Sequence, residues 1–228
     1  MGNLQDYGLN QDYLYEVLAS TISKKDENEY PNTASMGISV IDDRLLKIKP
    51  YNNTVTHENL KEYRFVSLNF IEEVELFAQA SLKKIKSGFN GIPIEDYLYY
   101  EYSHRGEDNR IPYLKQAWMV IFCSVVNETQ IVKQDNMGTI SATEFELEVI
   151  YSIKKKESFK LYNRAENLAL ESIILATRLK IARNNKDDLL YSKIESKIND
   201  YFDMITKFGK NSSALKAINL VKDYIKVL

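Results

Sequence analysis

Apolar and polar residues alternate along much of the first half of the chain, and this pattern predicts β-strands. In the clearest example, residues 144–151, Phe145, Leu147, Val149 and Tyr151 alternate with three glutamates and an isoleucine. A period of two places one set of side chains in a core and the other in solvent. Strands are also predicted over 13–19, 36–41, 44–49, 64–70 and 118–126.

Helical periodicity lies between these strands and dominates the second half. Apolar or small residues at 74, 77, 78, 81, 82 and 85 predict an amphipathic helix, and a shorter helix is predicted over 56–62. Three later helices are predicted over about 163–184, from Asp187 and Asp188 to Gly209, and from about Ser212 onward. The first of these has two apolar stripes and therefore has to be covered on two sides.

Residues 88–114 show no clear period and contain Gly91, Pro93, Gly106 and Pro112. We expect an irregular connection there, either a functional flap or a mobile segment. Strands followed by helices predict an α+β fold.

The formal net charge of -2 hides an uneven distribution. Residues up to Ser152 contain 14 Lys and Arg against 23 Asp and Glu, which gives -9, whereas those from Ile153 contain 16 against 9, which gives +7. This difference suggests two distinct parts, residues 1–152 and residues 153–228. The near-zero total gives no general attraction to nucleic acid or to anionic lipid, so neither is an expected partner.

The sequence lacks the residue patterns that several classes of function require. Neither the dinucleotide motif G-x-G-x-x-G nor the phosphate motif G-x-x-x-x-G-K-[ST] occurs. His57 and His104 are the two histidines, so we expect surface histidines and no metal site. Cys123 lies in an apolar run and is predicted to be a buried structural thiol. The start of the chain is polar and no run approaches the roughly 20 apolar residues of a membrane span, so a cytoplasmic location is expected.

Two short polar segments carry candidate binding groups. Residues 32–37, Asn-Thr-Ala-Ser-Met-Gly, open a predicted strand with small side chains that expose the main chain. Residues 53–59 open a short helix, where hydroxyl groups and free amide hydrogens form a cradle for an anion, and Thr56 is the expected N-cap. Taken singly, each segment is more simply explained as a turn or a helix cap.

The order of these segments resembles an archaeal family of uncharacterised FMN-binding proteins. That family combines a flavin-binding split β-barrel, related to flavin reductases, with an α-helical C-terminal subdomain. The resemblance covers roughly residues 12 to 228 and includes the helix signature around Asn163, Arg164 and Arg178. The other matching positions are Asn32, Met36, Gly37, Thr54, Thr56, Glu58, Asn59, Leu60, 67–69, 76–78 and 111–118.

The resemblance implies FMN as cofactor and a role for ten residues. The segment Asn32, Thr33, Ala34, Ser35 and Met36 would lie along the isoalloxazine ring. The phosphate and ribityl chain would be held by Thr54, Val55, Thr56 and Asn59, and Asn69 would support that loop from the adjacent strand. Similar proteins are homodimers with flavin at the interface, which implies a second copy and a small-molecule electron donor or acceptor as partners.

Two departures from the family leave an alternative open. Ser35 stands where proline is usual, and Val55 stands where a basic residue is usual. Lys47, Lys49, Lys61 or Arg64 could replace the missing cation. The alternative is a non-catalytic dimeric split-barrel protein that has lost or weakened flavin binding. No catalytic acid, base or substrate is indicated, so enzymatic activity stays open.

Overall fold

The computed structural model describes residues 4–11, 13–25, 28–82, 91–104, 106–135, 138–158, 163–208 and 212–228. The described strands are β1 (Leu14–Lys25), β2 (Asn28–Val40), β3 (Leu45–Ile48), β4 (Phe65–Phe70), β5 (Tyr97–His104), β6 (Glu107–Leu114), β7 (Met119–Asp135) and β8 (Gly138–Lys154). The described α-helices are α1 (Val55–Tyr63), α2 (Val74–Ser81), α3 (Arg164–Asn184), α4 (Asp188–Phe208) and α5 (Ser212–Lys226).

Six antiparallel strands close into a barrel in the order β1-β2-β3-β8-β7-β4. Alternate side chains of each strand point inward, as the period-two pattern predicts, and form an apolar core that contains Val17, Ile38, Leu68, Ile121 and Phe145. All five are fully buried. Cys123 also lies in this core with no exposed surface, which confirms the predicted structural thiol.

Strands β7 and β8 continue beyond the barrel as a two-stranded arm. β7 pairs with β4 over Phe65–Phe70, but its pairing with β8 continues to Asp135 and Gly138. We call residues 129–135 and 138–144 the β7–β8 ribbon. Residues 50–52 lie along its base, since the amide of Asn52 donates to the Ser141 carbonyl at 3.1 Å.

A β-bulge in β8 changes the direction of Tyr151. Cys123 pairs with Val149 but Phe122 pairs with Tyr151, so Ile150 is an extra residue. The bulge moves Tyr151 off the inward face that it was predicted to share with Val149. Tyr151 instead stacks on Tyr100, with ring centroids 5.4 Å apart.

The segment predicted to be irregular is largely a β-hairpin, so that prediction was wrong for residues 97–114. β5 and β6 pair in register from Tyr97 with Leu114 to His104 with Glu107. Gly106, at φ +83°, provides the turn, and the tyrosines supply strand-forming aromatic surface. The hairpin packs Ile111 and its aromatic residues against Val120 and Phe122.

The chain divides into two compact units, one of Met1–Ile71 with Pro93–Ser158 and one of Glu72–Ile92 with Phe159–Leu228. The first unit contains the barrel and the hairpin. In the second unit, α2 groups with α3, α4 and α5, so part of the helical unit comes from the first half of the chain. The division of the chain into domains 1–152 and 153–228 stays a prediction.

The helices of the second unit begin where the sequence predicts. Asn163 is the N-cap of α3, and its side-chain oxygen accepts from the amides of Ala165 and Glu166. Asp187 accepts from the amide of Leu190 at the start of α4. One stripe of α3 is buried, whereas the second predicted stripe, around Ile174 and Ile181, is half-buried. None of the helices in the described ranges is long and apolar enough to cross a membrane.

The burial of Cys123 makes its thiol a reporter of unfolding. Burial raises the pKa of this thiol, so the reactive thiolate is suppressed in the folded protein. We expect no reaction with an aromatic disulfide reagent under native conditions and one equivalent of reaction in concentrated denaturant, measured by absorbance. A Cys123→Ala variant is the blank. Fast reaction of the native protein would contradict the burial of this residue.

Candidate functional site

Helix α1 begins at a tight polar turn that follows β3. Thr54 is the N-cap, because its hydroxyl oxygen accepts from the His57 amide at 3.3 Å and its hydroxyl donates to the Tyr51 carbonyl at 2.8 Å. Asn53 has a positive φ of 64°, which turns the chain into the helix. The expectation that Thr56 is the N-cap was therefore wrong, since the helix begins at Val55.

One face of α1 closes an end of the barrel. Leu60 is fully buried in the barrel core, and Thr56 and Asn59 lie on the same face because the three residues are spaced at i, i+3 and i+4. Thr56 is 3% exposed and Asn59 is 4% exposed. Val55 lies on another face and is 43% exposed.

Thr56 and Asn59 are hydrogen-bonded to the β1–β2 side of the barrel. The side-chain amide of Asn59 donates to the Thr21 hydroxyl at 2.9 Å, and the Ser23 hydroxyl donates to the Asn59 oxygen at 2.9 Å. The Asn32 amide donates to the Thr56 hydroxyl at 3.2 Å. The structure therefore brings Asn32, Thr56 and Asn59 together, and their polar groups hold the helix against the strands.

The opposite side of α1 is held by the β7–β8 ribbon. His57 Nε2 lies 3.0 Å from the hydroxyl of Thr143, which is fully buried. The same hydroxyl contacts the side chains of Asn52 and Gln130, each at 2.9 Å. The turn before α1 and the first turn of the helix are thus fixed to one point on β8.

The predicted isoalloxazine segment lies inside β2 and not at its start. Met36 packs against the barrel core, whereas Thr33 points to the outer face. The Ser35 hydroxyl donates to the Glu16 carboxylate at 3.4 Å, and Ala34 is half-buried. The five residues therefore alternate between two faces, and a planar ligand along this strand would meet their main chain and one set of side chains.

Asn69 lies in a buried polar network on the outer face of the barrel. Its side-chain amide donates to the Leu18 carbonyl at 2.8 Å and to the Ser20 hydroxyl at 3.0 Å, and its oxygen accepts from the Leu114 amide at 2.8 Å. Ser20 and Thr33 hydroxyls are 2.7 Å apart, so Asn69 supports β2 through Ser20. These contacts differ from the expected support of the loop before α1.

Tyr97 completes this network from β5. Its hydroxyl lies 2.7 Å from the hydroxyl of Thr33, and burial raises the pKa of Tyr97 to about 12. The phenol is therefore neutral at physiological pH and serves as a hydrogen-bonding partner. The hairpin β5–β6 thereby fixes the strand that carries the predicted ring-binding residues.

Each of the four candidate phosphate-binding cations is within 4.0 Å of a carboxylate. Glu144 is 4.0 Å from Lys47 and 2.6 Å from Lys49. Glu128 is 3.4 Å from Lys61 and 2.9 Å from Arg64. All are partly exposed, and such ion pairs contribute about 0–1 kcal/mol, so an incoming anion competes with them at small cost.

A shallow depression elsewhere on the barrel unit contains none of the predicted site residues. It lies between the β1–β2 hairpin and β6 and is lined by Lys24, Glu29 and Arg110 among others. Glu29 is 3.4 Å from Lys24 and 3.5 Å from Arg110, so the local charges are largely balanced. Within the described ranges no cluster of three His, Cys, Asp or Glu residues could hold a metal ion.

The residues of the barrel that form hydrogen bonds with α1 were not predicted from the sequence. These partners are three hydroxyl residues at inward positions of their strands: Thr21, Ser23 and Thr143. A polar side chain at a position where the alternation is otherwise apolar is the sequence signal that could have indicated them. His57 was expected to be an ordinary surface histidine, but it is half-buried and hydrogen-bonded. Thr56, Asn59 and Leu60 at i, i+3 and i+4 were a second signal.

Comparisons with known proteins identify a family model and two similar archaeal proteins. A family model described as the N-terminal domain of a protein of unknown function, DUF447, matches residues 15–156. An uncharacterized protein of Methanocaldococcus jannaschii is 28% identical over 195 residues, which make up 85% of this chain and 91% of that protein. A crystal structure of an FMN-bound DUF447 protein from Methanosarcina mazei has a TM-score of 0.74 at 19% identity, covering 97% of this chain and 100% of that chain. The predicted α+β fold, a barrel followed by helices, is confirmed.

The hydrogen bonds of Asn59 predict a large effect of its truncation. Asn59→Ala leaves the buried hydroxyl of Thr21 without its donor, so we expect the free energy of unfolding to fall by roughly 1–3 kcal/mol. Urea denaturation followed by circular dichroism measures this change. The neighbouring exposed residue provides the control, Glu58→Ala, for which a change within about 0.5 kcal/mol is expected. Equal losses in both variants would contradict the positioning role of Asn59.

Proposed function

The chain belongs to the DUF447 family, and on this premise we propose that it is an FMN-binding flavoprotein of the flavin reductase-like class. The observation that carries the proposal is the start of α1, where a rigidly held helix presents its first-turn amides beside β2. The DUF447 protein of Methanosarcina mazei that shares this fold is FMN-bound in its crystal structure. FMN supplies the exchange of a hydride or of single electrons with a small molecule.

The residues present fit a phosphate at the helix start. The first amides of a helix have no carbonyl within the helix to accept their hydrogens, and the helix dipole favours an anion there. The Thr54 hydroxyl oxygen accepts a hydrogen bond from the His57 amide. The amides of Val55 and Thr56 are therefore the proposed phosphate donors. The 43% exposure of Val55 gives a ligand access to this turn.

Thr56 and Asn59 have an indirect role in this proposal. Their side chains are buried and bonded to Asn32, Thr21 and Ser23, so they hold the helix that presents the amides. Thr33 and Asn69 act in the same way on β2, from the outer face of the barrel. The main chain of residues 32–36 would bond the polar edge of the ring.

We also propose a homodimer with the flavin at the interface and a small-molecule electron donor or acceptor. Support comes from apolar residues exposed beside the ring-binding strand. Leu14 is 71% exposed and lies beside Gly37 of β2, since its Cδ1 would be 3.1 Å from a Cβ atom added to that glycine. The adjacent Tyr13 is 61% exposed. Exposed apolar surface of this kind is typical of contact sites.

A non-catalytic barrel protein with weakened flavin binding is the second candidate. The observation that favours it is Val55, an exposed apolar residue at the position where the family usually has a cation. Without that cation, the phosphate would depend on main-chain amides. Reduction of an electron acceptor by the FMN-loaded protein with reduced nicotinamide would exclude this candidate.

Restoring the missing cation provides a sharp test of the phosphate position. We expect Val55→Lys to tighten FMN binding by about 1.5 kcal/mol, roughly tenfold, because it adds a charge-assisted contact. Riboflavin lacks the phosphate, so its affinity is expected to stay unchanged. Quenching of flavin fluorescence measures both dissociation constants, and Val55→Leu is the matched control.

The outcomes of this titration separate the two parts of the proposal. Failure of the native protein to bind FMN at millimolar concentration would contradict the proposed function. Equal tightening of FMN and riboflavin by Val55→Lys would reject the phosphate position but not flavin binding. Sedimentation with and without FMN tests the dimer, and a monomer under both conditions would contradict it.

A further inference from the structure

A closed ring of three hydrogen bonds lies at the base of the β7–β8 ribbon, and we call it the polar ring. The Asn52 amide nitrogen donates to the Gln130 oxygen at 3.1 Å, and the Gln130 nitrogen donates to the Thr143 hydroxyl at 2.9 Å. The Thr143 hydroxyl donates to the Asn52 oxygen at 2.9 Å. Each member donates once and accepts once within the polar ring.

The polar ring determines which nitrogen of His57 carries a proton. A hydroxyl has one hydrogen, and the polar ring uses the hydrogen of Thr143. Turning both side-chain amides around would reverse the direction of the polar ring, but it would still use that hydrogen. His57 Nε2, 3.0 Å from the Thr143 oxygen, is therefore the donor. In a neutral imidazole this leaves a lone pair on Nδ1.

A second proton on the imidazole would have no acceptor. His57 Nδ1 is buried and has no hydrogen-bond partner among the described residues. The ring of Phe145 lies 5.9 Å away, and the charged groups that act on His57 are Lys61 and Glu58 of α1 and Glu128 of β7. Burial, followed by the Lys61 ammonium, lowers the pKa of His57 from 6.5.

We propose that His57 is a positioning residue of the candidate site: its neutral imidazole, acting through Thr143 on Asn52, holds the turn that carries Thr54. The consequence for FMN rests on the proposed function, because that turn leads to the proposed phosphate donors. The proposal adds a pH dependence. A protonated His57 has to move into solvent to hydrate its second N–H, and it then loses its hydrogen bond to Thr143. Both the helix start and the affinity for FMN weaken at acidic pH.

The sign of the stability change follows from the lowered pKa. Below pH 6.5 the unfolded chain takes up a proton on His57 more readily than the folded chain does, so acidification favours unfolding. The contribution of this histidine is fully present above the unfolded value and is lost as the pH falls below it. We therefore expect the urea midpoint to decrease with acidity more in the native sequence than in His57→Gln.

The first experiment measures the protonation of His57 in the protein without FMN. Nitrogen-15 NMR distinguishes a protonated ring nitrogen from one with a lone pair, and the chain has two histidines, so a His104→Gln variant assigns the signals. At neutral pH we expect His57 to be protonated on Nε2 alone. A proton on Nδ1 at neutral pH would overturn the proposal.

The second experiment measures FMN affinity against pH in the native sequence, His57→Gln and His57→Ala. The glutamine amide replaces the Nε2 donor without titrating, so it should restore affinity relative to alanine. From about pH 7.5 to about pH 5.5, across the usual titration of histidine, we expect the native protein to lose at least about threefold more affinity than His57→Gln. The FMN phosphate titrates in the same range, but both proteins meet the same ligand.

The two experiments separate the two proposals. Parallel pH profiles for the native protein and His57→Gln would overturn the role of His57 at the site, even if FMN binds tightly. A neutral Nε2-protonated His57 with the expected pH-dependent unfolding, in a protein that never binds FMN, would contradict the proposed function and leave the hold on the turn supported. Affinity in His57→Ala equal to that of the glutamine variant would also overturn the proposal.

Discussion

The polar side chains at one end of the barrel impose the constraint on which this structure depends. The pairing of β1 with β4 closes the six strands into a barrel, and the inward positions at one end of it carry Thr21, Ser23 and Thr143. Buried hydroxyls without partners are costly, so whatever covers the end has to supply hydrogen bonds as well as apolar surface. Helix α1 does both, with Leu60 in the core and Asn59 and His57 on either side.

The same requirement organises the outer face of the barrel. Ser20, Thr33 and Asn69 are fully buried polar residues that point away from the core. The hairpin β5–β6 covers them, and its Tyr97 hydroxyl and Leu114 amide enter their network. Directional bonds of this kind fix the position of the hairpin more narrowly than apolar contact would. Strand β2 is thus held from the outside by one polar network, and it contributes Asn32 to the other.

The sequence predicts elements well where the signal is local and poorly where it depends on a neighbour. Helices α3 and α4 have their own caps at Asn163 and Asp187, so their starts are predictable. The hairpin β5–β6 was missed because the glycines and prolines of this segment indicate an irregular connection, whereas Gly106 forms the turn of the hairpin and Pro112 lies within β6. A bulge at Ile150 redirects Tyr151, and no local pattern reveals one extra residue in a strand.

The residue types of the candidate site were predictable, but the direction of each side chain was not. Thr56 and Asn59 suit a phosphate as well as they suit the end of a barrel, and only packing decides that they face inward. If the phosphate binds main-chain amides, the side chain of Val55 is free to vary, because any residue other than proline supplies an amide hydrogen. The constraint then falls on the residues that hold the helix. The absence of the two glycine-rich phosphate motifs and of a cation at position 55 is therefore compatible with a nucleotide site, provided that the helix start is fixed.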